Sequence, residues 1–293
     1  MAEISRAHIE GARLGSGTLR FHPRVIRPGQ LECDVAEERG SAGSVTLILQ
    51  ALLPALGMAS TASQLILRGG THVPWSPPVH YVHAVLLPML KPVGIEASLE
   101  LVRAGWYPKG GGEIRVTIHP SPRLKAQTWL ERGALQRIRG WSLVSNLPQA
   151  IAERQKRAIL EALHRKQLEA TIECVDLPSP GTGTCVVLVA EFEHTHAGFA
   201  ALGERGKMAE RVGQEAAQRL LTFLETTAAL EEHLADQIIV FLALTSGRSE
   251  FTTSKITRHL LTNCWVIQQC LPVRATVEGQ EGLEGRIVLE PMA

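Results

Sequence analysis

The sequence predicts an α/β (α+β) fold built from a repeated unit. Runs typical of strands and runs typical of helices alternate along the 293 residues, and such alternation is the pattern of these fold classes. Two segments far apart in the chain also show the same order of elements, and each ends in a pair of strands. Internal repetition of this kind indicates that neighbouring units bury their apolar faces against each other.

The first of these segments predicts the order helix, strand, helix, strand, strand. The apolar run "SVTLILQALLPALG" predicts a buried helix after the small-residue loop "RGSAG", and "QLILRGG" predicts a strand. The run "SPPVHYVHAVLLPMLKPVG" predicts a second helix, since proline lies near its start and Pro-Val-Gly at its end. Two strands, "IEASLELV" and "GEIRVTI", follow and are joined by the glycine-rich "RAGWYPKGGG".

The last segment of the chain repeats this order. The run "HLADQIIVFLAL" predicts a helix, "SEFTTS" a strand and "HLLTNCWVIQQCL" a second helix. The strands "VRATVEG" and "GRIVLE" then close the unit, as "IEASLELV" and "GEIRVTI" close the first one.

Residues 133–227 interrupt the repetition and predict a small inserted α/β domain. They contain a strand ("LQRIRGWSLVSN"), a helix ("AIAERQKRAILEALHRK"), two strands ("EATIECVD" and "TCVVLVAEF") and a long helix ("GKMAERVGQEAAQRLLTFLE"). We therefore expect a core in residues 1–132, the inserted domain in 133–227 and the last core unit in 228–293.

The front of the chain predicts an incomplete repeat. The stretch "GSGTLRFHPRVIRPGQLECDV" (residues 15–35) is interpreted as a closing strand pair without the helices that should precede it. We therefore expect the chain to begin inside a repeat, and to lack the opening part of its first unit.

Composition excludes several classes of protein. Lys plus Arg number 30 and Asp plus Glu 29, so any contact with nucleic acid needs a local basic patch. The five cysteines are scattered without a C-x-x-C pair, which favours free thiols in a reducing cytoplasm over a disulfide framework or a zinc site. No apolar run is long enough to span a membrane, and the first residues lack the apolar region of a signal peptide.

His259 is the first candidate for chemistry. It lies where the β-like "SEFTTSKITR" gives way to the helix-like "HLLTN". The positive end of a helix dipole disfavours a protonated imidazole, so His259 is expected to be neutral and nucleophilic. The alternative is a structural histidine.

Other polar groups lie at predicted helix starts. In "EEHLADQ", a helix places His233, Asp236 and Gln237 on one face, where they could hold a ligand or solvate the helix end. The small residues of "ERGSAGSVTLILQ" could form an anion site at a helix N-terminus, or Ser41 or Ser44 could simply cap the helix.

Three further patterns keep two interpretations each. The glycines of "RAGWYPKGGGEI" indicate backbone lying close to a ligand or another strand, or else a hairpin loop. The pairs in "HTH" and "HYVH" could bind a metal but lack a third ligand nearby. The basic residues around the first inserted helix form either a solvated face or a patch for phosphates; they are Arg137, Arg139, Arg154, Lys156, Arg157, Arg165 and Lys166.

Taken together, these segments resemble the RNA 3'-terminal phosphate cyclases. The resemblance runs from about Gly11 to the C-terminus and rests on "RGSAGSVTLILQALLPAL", "LRGGTHVPWSPP", "GWYPKGGGEI", "GERGKMAE", "EEHLADQ" and "HLLTN…LPVR". It implies repeated βαβαββ units with a small α/β domain inserted late. It also implies ATP-dependent conversion of an RNA 3'-phosphate to a 2',3'-cyclic phosphate through a histidine–AMP intermediate.

The resemblance also assigns roles to individual residues. It implies that His259 is the nucleophile, and that ATP contacts Gln50, His233, Leu234, Ala235, Asp236 and Gln237. ATP and a divalent cation, taken to be Mg²⁺, are the implied cofactors, and RNA 3'-phosphate ends are the implied partner. The metal ligands are not assigned, and a homodimer is left open.

Some positions depart from the family pattern. The chain has Ala104 where the family usually has His or Arg, and His233 where an aromatic residue is common. The family's opening "GEGGGQ…LR" motif is not found in this sequence, so we expect little activity from the chain as it stands. The alternatives are a non-catalytic RNA-binding relative that acts in ribosome biogenesis, which His259 argues against, and an enolpyruvyl transferase, which no motif supports.

Overall fold

The computed structural model describes residues 1–35, 42–121 and 123–292. It begins with the short helix α1 (Ala2–Ser5) and the strands β1 (His8–Glu10) and β2 (Arg20–His22). These two strands pair antiparallel in a small sheet of their own.

The predicted strand pair in residues 15–35 is wrong. β2 pairs with the preceding strand, β1, and the next strand, β3 (Gln30–Asp34), joins a different sheet. The segment between β2 and β3 contains Pro23 and Pro28. Each proline lacks a backbone N–H, so the segment is poorly suited to a hairpin ladder.

A complete βαβαββ unit follows from β3. Its later elements are α2 (Val45–Gly57), β4 (Ser63–Gly69), a continuous helical stretch of α3 (Val79–Tyr81), a π-helical turn (Val82–Leu86) and α4 (Leu87–Leu90), and then β5 (Glu96–Arg103) and β6 (Gly112–His119). The strand order is β3-β4-β6-β5, with β3 parallel to β4 and the other pairs antiparallel. β3 is therefore the opening strand of this unit.

A separate α/β unit is inserted after the two-residue strand β7 (Thr128–Trp129). Its elements are β8 (Leu135–Ser145), α5 (Gln149–His164), β9 (Thr171–Asp176), β10 (Gly183–Phe192), β11 (His196–Leu202) and α6 (Ala209–Leu224). The strand order is β11-β10-β8-β9, and α5 packs against α6. Apolar side chains of this unit form a core of their own, with Leu188, Ala216 and Leu220 fully buried.

The last unit returns to the first topology. It contains α7 (Glu232–Ala243), β12 (Ser249–Thr253), α8 (Arg258–Cys270), β13 (Val273–Gly279) and β14 (Gly285–Pro291). The strand order is β13-β14-β12-β7, with β7 parallel to β12. β7 is thus the opening strand of this unit, and the inserted α/β unit separates it from α7.

The two βαβαββ units share one apolar core. Leu53 of α2, Phe241 of α7 and Phe251 of β12 are among its fully buried side chains, and α2 contacts α7 directly. The α/β class predicted from the sequence is confirmed. Among the described residues, no helix has both the length and the apolar content needed to cross a membrane.

Candidate active site

His259 is the second residue of α8, close to the N-terminus of that helix. Thr257 caps the helix, because its side-chain oxygen accepts a 3.0 Å hydrogen bond from the N–H of Leu260. The His259 side chain is 70% exposed, and its Nδ1 lies 3.2 Å from Oδ2 of Asp236 on α7. One ring nitrogen is therefore engaged with a carboxylate while much of the ring faces solvent.

Asp236 is the buried member of this pair. Its side chain is only 11% exposed, and burial raises the pKa of its carboxyl to about 7. Its main-chain oxygen accepts a 2.9 Å hydrogen bond from Nδ2 of Asn263, which also lies 3.4 Å from Nδ1 of His259. Asn263 thus ties α7 to α8 beside the imidazole.

Asn263 belongs to the stretch "HLLTN", from which no role was predicted for it. The available signal was its spacing, because residues four apart on a helix share a face. Asn263 follows His259 by four positions in α8.

A buried pair fixes the N-terminus of α7. Glu231 caps this helix by accepting hydrogen bonds from the N–H groups of His233 and Leu234, at 2.7 and 2.8 Å. The Tyr81 hydroxyl donates a third, 2.5 Å bond to the same carboxyl. Burial raises the pKa of Glu231 and holds the pKa of Tyr81 well above its ordinary value.

Neither Tyr81 nor Glu231 was predicted from the sequence. An acidic residue just before a predicted helix is a capping signal, so "EEHLADQ" contained evidence for Glu231. The contact with Tyr81 joins positions 150 apart in the chain, and no local pattern reveals such a contact.

The residues assigned to ATP occupy different environments. The His233 side chain is 61% exposed, whereas Leu234 and Ala235 are fully buried in the core. The buried Oε1 of Gln237 has no hydrogen-bond partner within the described part of the chain. His233, Asp236 and Gln237 all belong to α7, as the helical spacing predicted.

Gln50 lies on the neighbouring helix α2. Its Nε2 donates a 3.2 Å hydrogen bond to the main-chain oxygen of Thr46. The N-cap of α2 is Ser44, whose side-chain oxygen accepts a 3.4 Å hydrogen bond from the N–H of Leu47. The predicted cap at Ser44 is confirmed, while the alternative, Ser41, lies outside the described residues.

The glycine-rich loop after β5 lies against other backbone. A Cβ atom on Gly105 would lie 2.2 Å from the Gly69 oxygen and 2.5 Å from the Gly112 nitrogen. A side chain at Gly111, where φ is +71°, would also meet Pro180 of the inserted unit. Of the interpretations left open, close approach to neighbouring backbone is the one that these contacts support.

The histidine pairs do not form a metal site in the described residues. His196 begins β11 and its Nδ1 lies 3.1 Å from the Ala84 oxygen, while His194 lies in the preceding turn. His80 Nδ1 lies 2.9 Å from His72 Nε2, and burial lowers the pKa of His80 to about 4. Within the described ranges, no three His, Cys, Asp or Glu side chains cluster so as to hold a metal ion.

Part of the predicted basic patch is neutralised by acidic partners. Arg154 makes a two-pronged contact with Glu210, at 2.6 and 2.7 Å. Arg137 and Arg139 both contact Glu191. Four residues of the predicted patch make no salt bridge with other described residues: Lys156, Arg157, Arg165 and Lys166.

Repeated βαβαββ units with a histidine–carboxylate pair at adjoining helices define an α/β protein with a histidine-centred candidate site. The sequence model of the family described as RTC, RNA 3'-terminal phosphate cyclase, matches residues 1–277. The chain belongs to this family, as the sequence resemblance predicted.

Individual relatives agree with this assignment. An RNA 3'-terminal phosphate cyclase of Methylococcus capsulatus is 46% identical over 92% of this chain and 76% of the relative. One of Gloeothece citriformis is 41% identical over 92% of this chain and 77% of the relative. One of Methanopyrus kandleri is 40% identical over 99% of this chain and 84% of the relative.

Proposed function

We propose that the protein converts an RNA 3'-terminal phosphate to a 2',3'-cyclic phosphodiester at the expense of ATP, through a histidine–AMP intermediate. Family membership and the names of the relatives support the cyclase activity. The observation that carries the histidine mechanism is the 3.2 Å contact between Nδ1 of His259 and Oδ2 of Asp236.

The proposed mechanism uses the tautomer of His259 that carries its proton on Nδ1, the nitrogen beside Asp236. When Asp236 is ionised it accepts a hydrogen bond from Nδ1–H, so the other ring nitrogen, Nε2, keeps its lone pair. The exposure of the ring leaves room for a substrate at Nε2. His259 is therefore proposed as the nucleophile, and Asp236 as the residue that orients it.

The proposed reaction consists of three displacements at phosphorus. Nε2 of His259 attacks the α-phosphorus of ATP, forms a P–N bond and expels pyrophosphate. A 3'-phosphate oxygen of the RNA then takes the AMP group and releases the histidine. The adjacent 2'-hydroxyl attacks the activated phosphorus, loses its proton and expels AMP, and this intramolecular step closes the ring.

Helix N-termini offer favourable positions for the phosphates. α2 and α8 each have 13 residues, long enough for a dipole whose positive end attracts anions. At α7 the Glu231 carboxyl already occupies the equivalent position. We therefore propose that the triphosphate lies toward α8 and α2 rather than on the end of α7.

The proposed ATP contacts divide by exposure. His233, Asp236, Gln237 and Gln50 can offer side chains, whereas the buried Leu234 and Ala235 can contribute only backbone atoms. Gln237 is the most informative of these, since its buried Oε1 lacks a partner among the described residues. A ligand N–H or O–H would remove the cost of leaving that atom unpaired.

A tightly held protein metal ion does not fit the described residues, which contain no three-ligand cluster. We propose instead that the divalent cation, Mg²⁺, arrives with the triphosphate. Mg²⁺ commonly keeps several waters and takes only one or two protein carboxylates when it accompanies phosphates.

We also propose that the protein works in the cytoplasm. The cysteines of the described chain are free thiols, which agrees with the reducing cytoplasm.

The second candidate function, a catalytically impaired or non-catalytic RNA-binding relative, would not require an exposed histidine beside a buried carboxylate.

The decisive experiment supplies ATP labelled in its α-phosphate and then RNA ending in a 3'-phosphate. We expect a labelled protein adduct, its discharge on addition of this RNA, and a 2',3'-cyclic end on the product. RNA ending in a 3'-hydroxyl is the control and should leave the adduct in place. Absence of both adduct and cyclic product would support the non-catalytic alternative.

A further inference from the structure

We propose that Trp75 and Tyr107 form a stacking platform for unpaired bases of the RNA near its 3' end. This inference rests on the proposed function and names a site that the chemistry at His259 does not use. Trp75 is 98% exposed and Tyr107 is 68% exposed. The two rings, called here the aromatic platform, lie on adjoining loops.

The two loops are joined at their bases. The N–H groups of Thr71 and His72 both donate to the Gly105 oxygen, at 2.9 and 3.2 Å. The Thr71 hydroxyl accepts a 2.9 Å bond from the Gly105 N–H, and His72 pairs with Trp106 as an isolated bridge. Because Trp75 and Tyr107 follow this bridge by three residues and one residue, their Cα atoms lie within about 20 Å of each other.

The backbone presents each ring outward on a restrained turn. Trp75 has a φ of +64°, a conformation that a bulky residue rarely adopts unless its surroundings impose it. Tyr107 lies in a tight turn closed by a 2.7 Å hydrogen bond from the Gly110 N–H to the Trp106 oxygen. Pro74 and Pro108 adjoin the two rings and further limit the backbone.

The surroundings favour a nucleic acid over a protein partner. Lys109, in the same turn as Tyr107, is exposed and makes no salt bridge with the residues described. A lysine beside two exposed rings matches the combination that binds single strands, with stacking for the bases and a cation for the phosphates. The net charge of the chain is only +1, so such an attraction must be local.

The aromatic platform is connected to the helix ends of the candidate active site. Thr46, in the first turn of α2, donates a 2.8 Å hydrogen bond to the Pro77 oxygen at the end of the Trp75 loop. Four residues further on, Tyr81 bonds to Glu231 at the start of α7. A strand whose 3' end lies at these helix ends would therefore have its upstream bases near the platform.

The test compares RNAs of two lengths that both end in a 3'-phosphate: a dinucleotide and a strand of about ten nucleotides, the latter within the range of single-strand sites. We expect Trp75→Ala and Tyr107→Ala each to weaken binding of the longer RNA about tenfold. Binding of the dinucleotide should change little. The conservative variants Trp75→Phe and Tyr107→Phe should retain most of the affinity, because they keep a π face.

Leu283→Ala is a matched control, since Leu283 is 60% exposed in the turn between β13 and β14. It should bind both RNAs as the parent chain does. Lys109→Ala should reduce the slope of log affinity against log salt by about one.

Labelling with α-labelled ATP separates this proposal from the proposed function. The platform variants should form the protein–AMP adduct as well as the parent chain, because neither ring belongs to the His259 site. Equal affinity of parent and platform variants for the longer RNA would overturn the platform even where labelling succeeds. A loss of self-association in these variants, with unchanged RNA binding, would show that the rings contact a second copy of the chain instead.

Discussion

Nδ1 of His259 lies 3.2 Å from Oδ2 of Asp236, and the two residues belong to different helices of the last βαβαββ unit. The carboxyl is buried and the imidazole is largely exposed. Under the mechanism proposed above, Nδ1–H donates to this carboxylate, and such a bond would fix both the ring orientation and the ring nitrogen that carries the proton. The chemistry proposed for His259 therefore depends on the protonation state of Asp236.

His259→Ala should abolish the protein–AMP adduct. The reason is that no other imidazole combines high exposure with a contact to a buried carboxylate among the described residues. The measurement is labelling with α-labelled ATP, followed by acid and alkali treatment, since a P–N bond to histidine is acid-labile and alkali-stable.

His164→Ala is the control for this substitution, because His164 is also exposed but ends α5 in the inserted unit. It should label as the parent chain does. A persistent adduct in the His259→Ala variant would contradict the assignment of the nucleophile.

Adenylylation should rise with pH through about 7. Burial raises the pKa of Asp236 to about 7, so below that pH the carboxyl is protonated and no longer accepts a hydrogen bond from Nδ1–H. The initial rate of AMP labelling, measured from about pH 5.5 to about pH 8.5, should follow this ionisation. Asp236→Asn should lower the rate and remove that step from the profile.

Ionisation of Asp236 should lower the free energy of unfolding as the pH rises, whereas it raises the rate of adenylylation. Its folded-state pKa, about 7, exceeds the ordinary value of 3.8, so its contribution is fully present below 3.8 and is lost as the pH rises through 7. Asp236→Asn should therefore raise the free energy of unfolding above pH 7, by on the order of 1–3 kcal/mol. Denaturant unfolding at about pH 5 and about pH 8, on the two sides of this ionisation, tests the sign, and a larger gain at the lower pH would contradict it.

Local patterns predicted the elements well but not their pairing. The run "SVTLILQALLPALG" matches α2, and "HLLTNCWVIQQCL" differs from α8 by one residue at each end. Apolar periodicity and helix ends are local, so the sequence displays them directly. The predicted pairing within residues 15–35 is wrong, because strand partners depend on the turns and prolines between them. The strand β11 was not among the elements predicted for the inserted domain.

For the candidate site as well, the sequence predicted local features but not the contacts between distant residues. The sequence placed His233, Asp236 and Gln237 on one helix, because spacing fixes a helix face. It could not show that Asp236 meets His259 across two helices, or that Tyr81 reaches Glu231. Those contacts depend on how the units pack, and a linear pattern does not contain that information.

Tyr81→Phe should destabilise the protein by about 1–2 kcal/mol. The substitution removes the hydroxyl that donates to the buried Glu231 carboxyl and leaves that group with fewer partners. Since Glu231 caps α7, the Michaelis constant for ATP should also rise. Thermal or denaturant unfolding gives the first quantity, and labelling at several ATP concentrations gives the second.

Tyr107→Phe provides the comparison, because the Tyr107 side chain is largely exposed. It should leave both the stability and the ATP dependence unchanged. Equal behaviour of the two variants would show that the bond to Glu231 does not order the start of α7.

Arg157→Ala should weaken RNA binding and reduce the salt slope by about one. Arg157 is exposed, whereas the neighbouring Arg154 is held by Glu210. Arg154→Ala is therefore the matched control and should have a smaller effect on RNA binding. Affinity measured across a salt series decides between them, and an equal slope in parent and Arg157→Ala chains would exclude a phosphate contact at this position.

Arg132→Ala should lower the free energy of unfolding by about 2–4 kcal/mol and loosen the junction between the inserted unit and the last core unit. Arg132 lies between β7 and β8, and its guanidinium lies 4.7 Å from the centre of the Phe223 ring. The same group donates to four main-chain oxygens where the chain leaves α6; they belong to Phe223, Leu224, Thr226 and Ala228. The Arg132 side chain thus links the segment by which the chain enters the inserted unit to the segment by which it leaves that unit.

Arg132→Lys should recover only part of the loss, because an ammonium group cannot reproduce the planar fork of donors. Arg219→Ala is the matched control, since Arg219 donates to a single main-chain oxygen, that of Ala200, at 2.7 Å. Limited proteolysis should cut the Arg132 variants faster near residues 130–134 and 224–230, while the Arg219 variant is cut like the parent chain. Unchanged cleavage and unfolding in Arg132→Ala would mean that the apolar contacts across the junction are sufficient without the guanidinium.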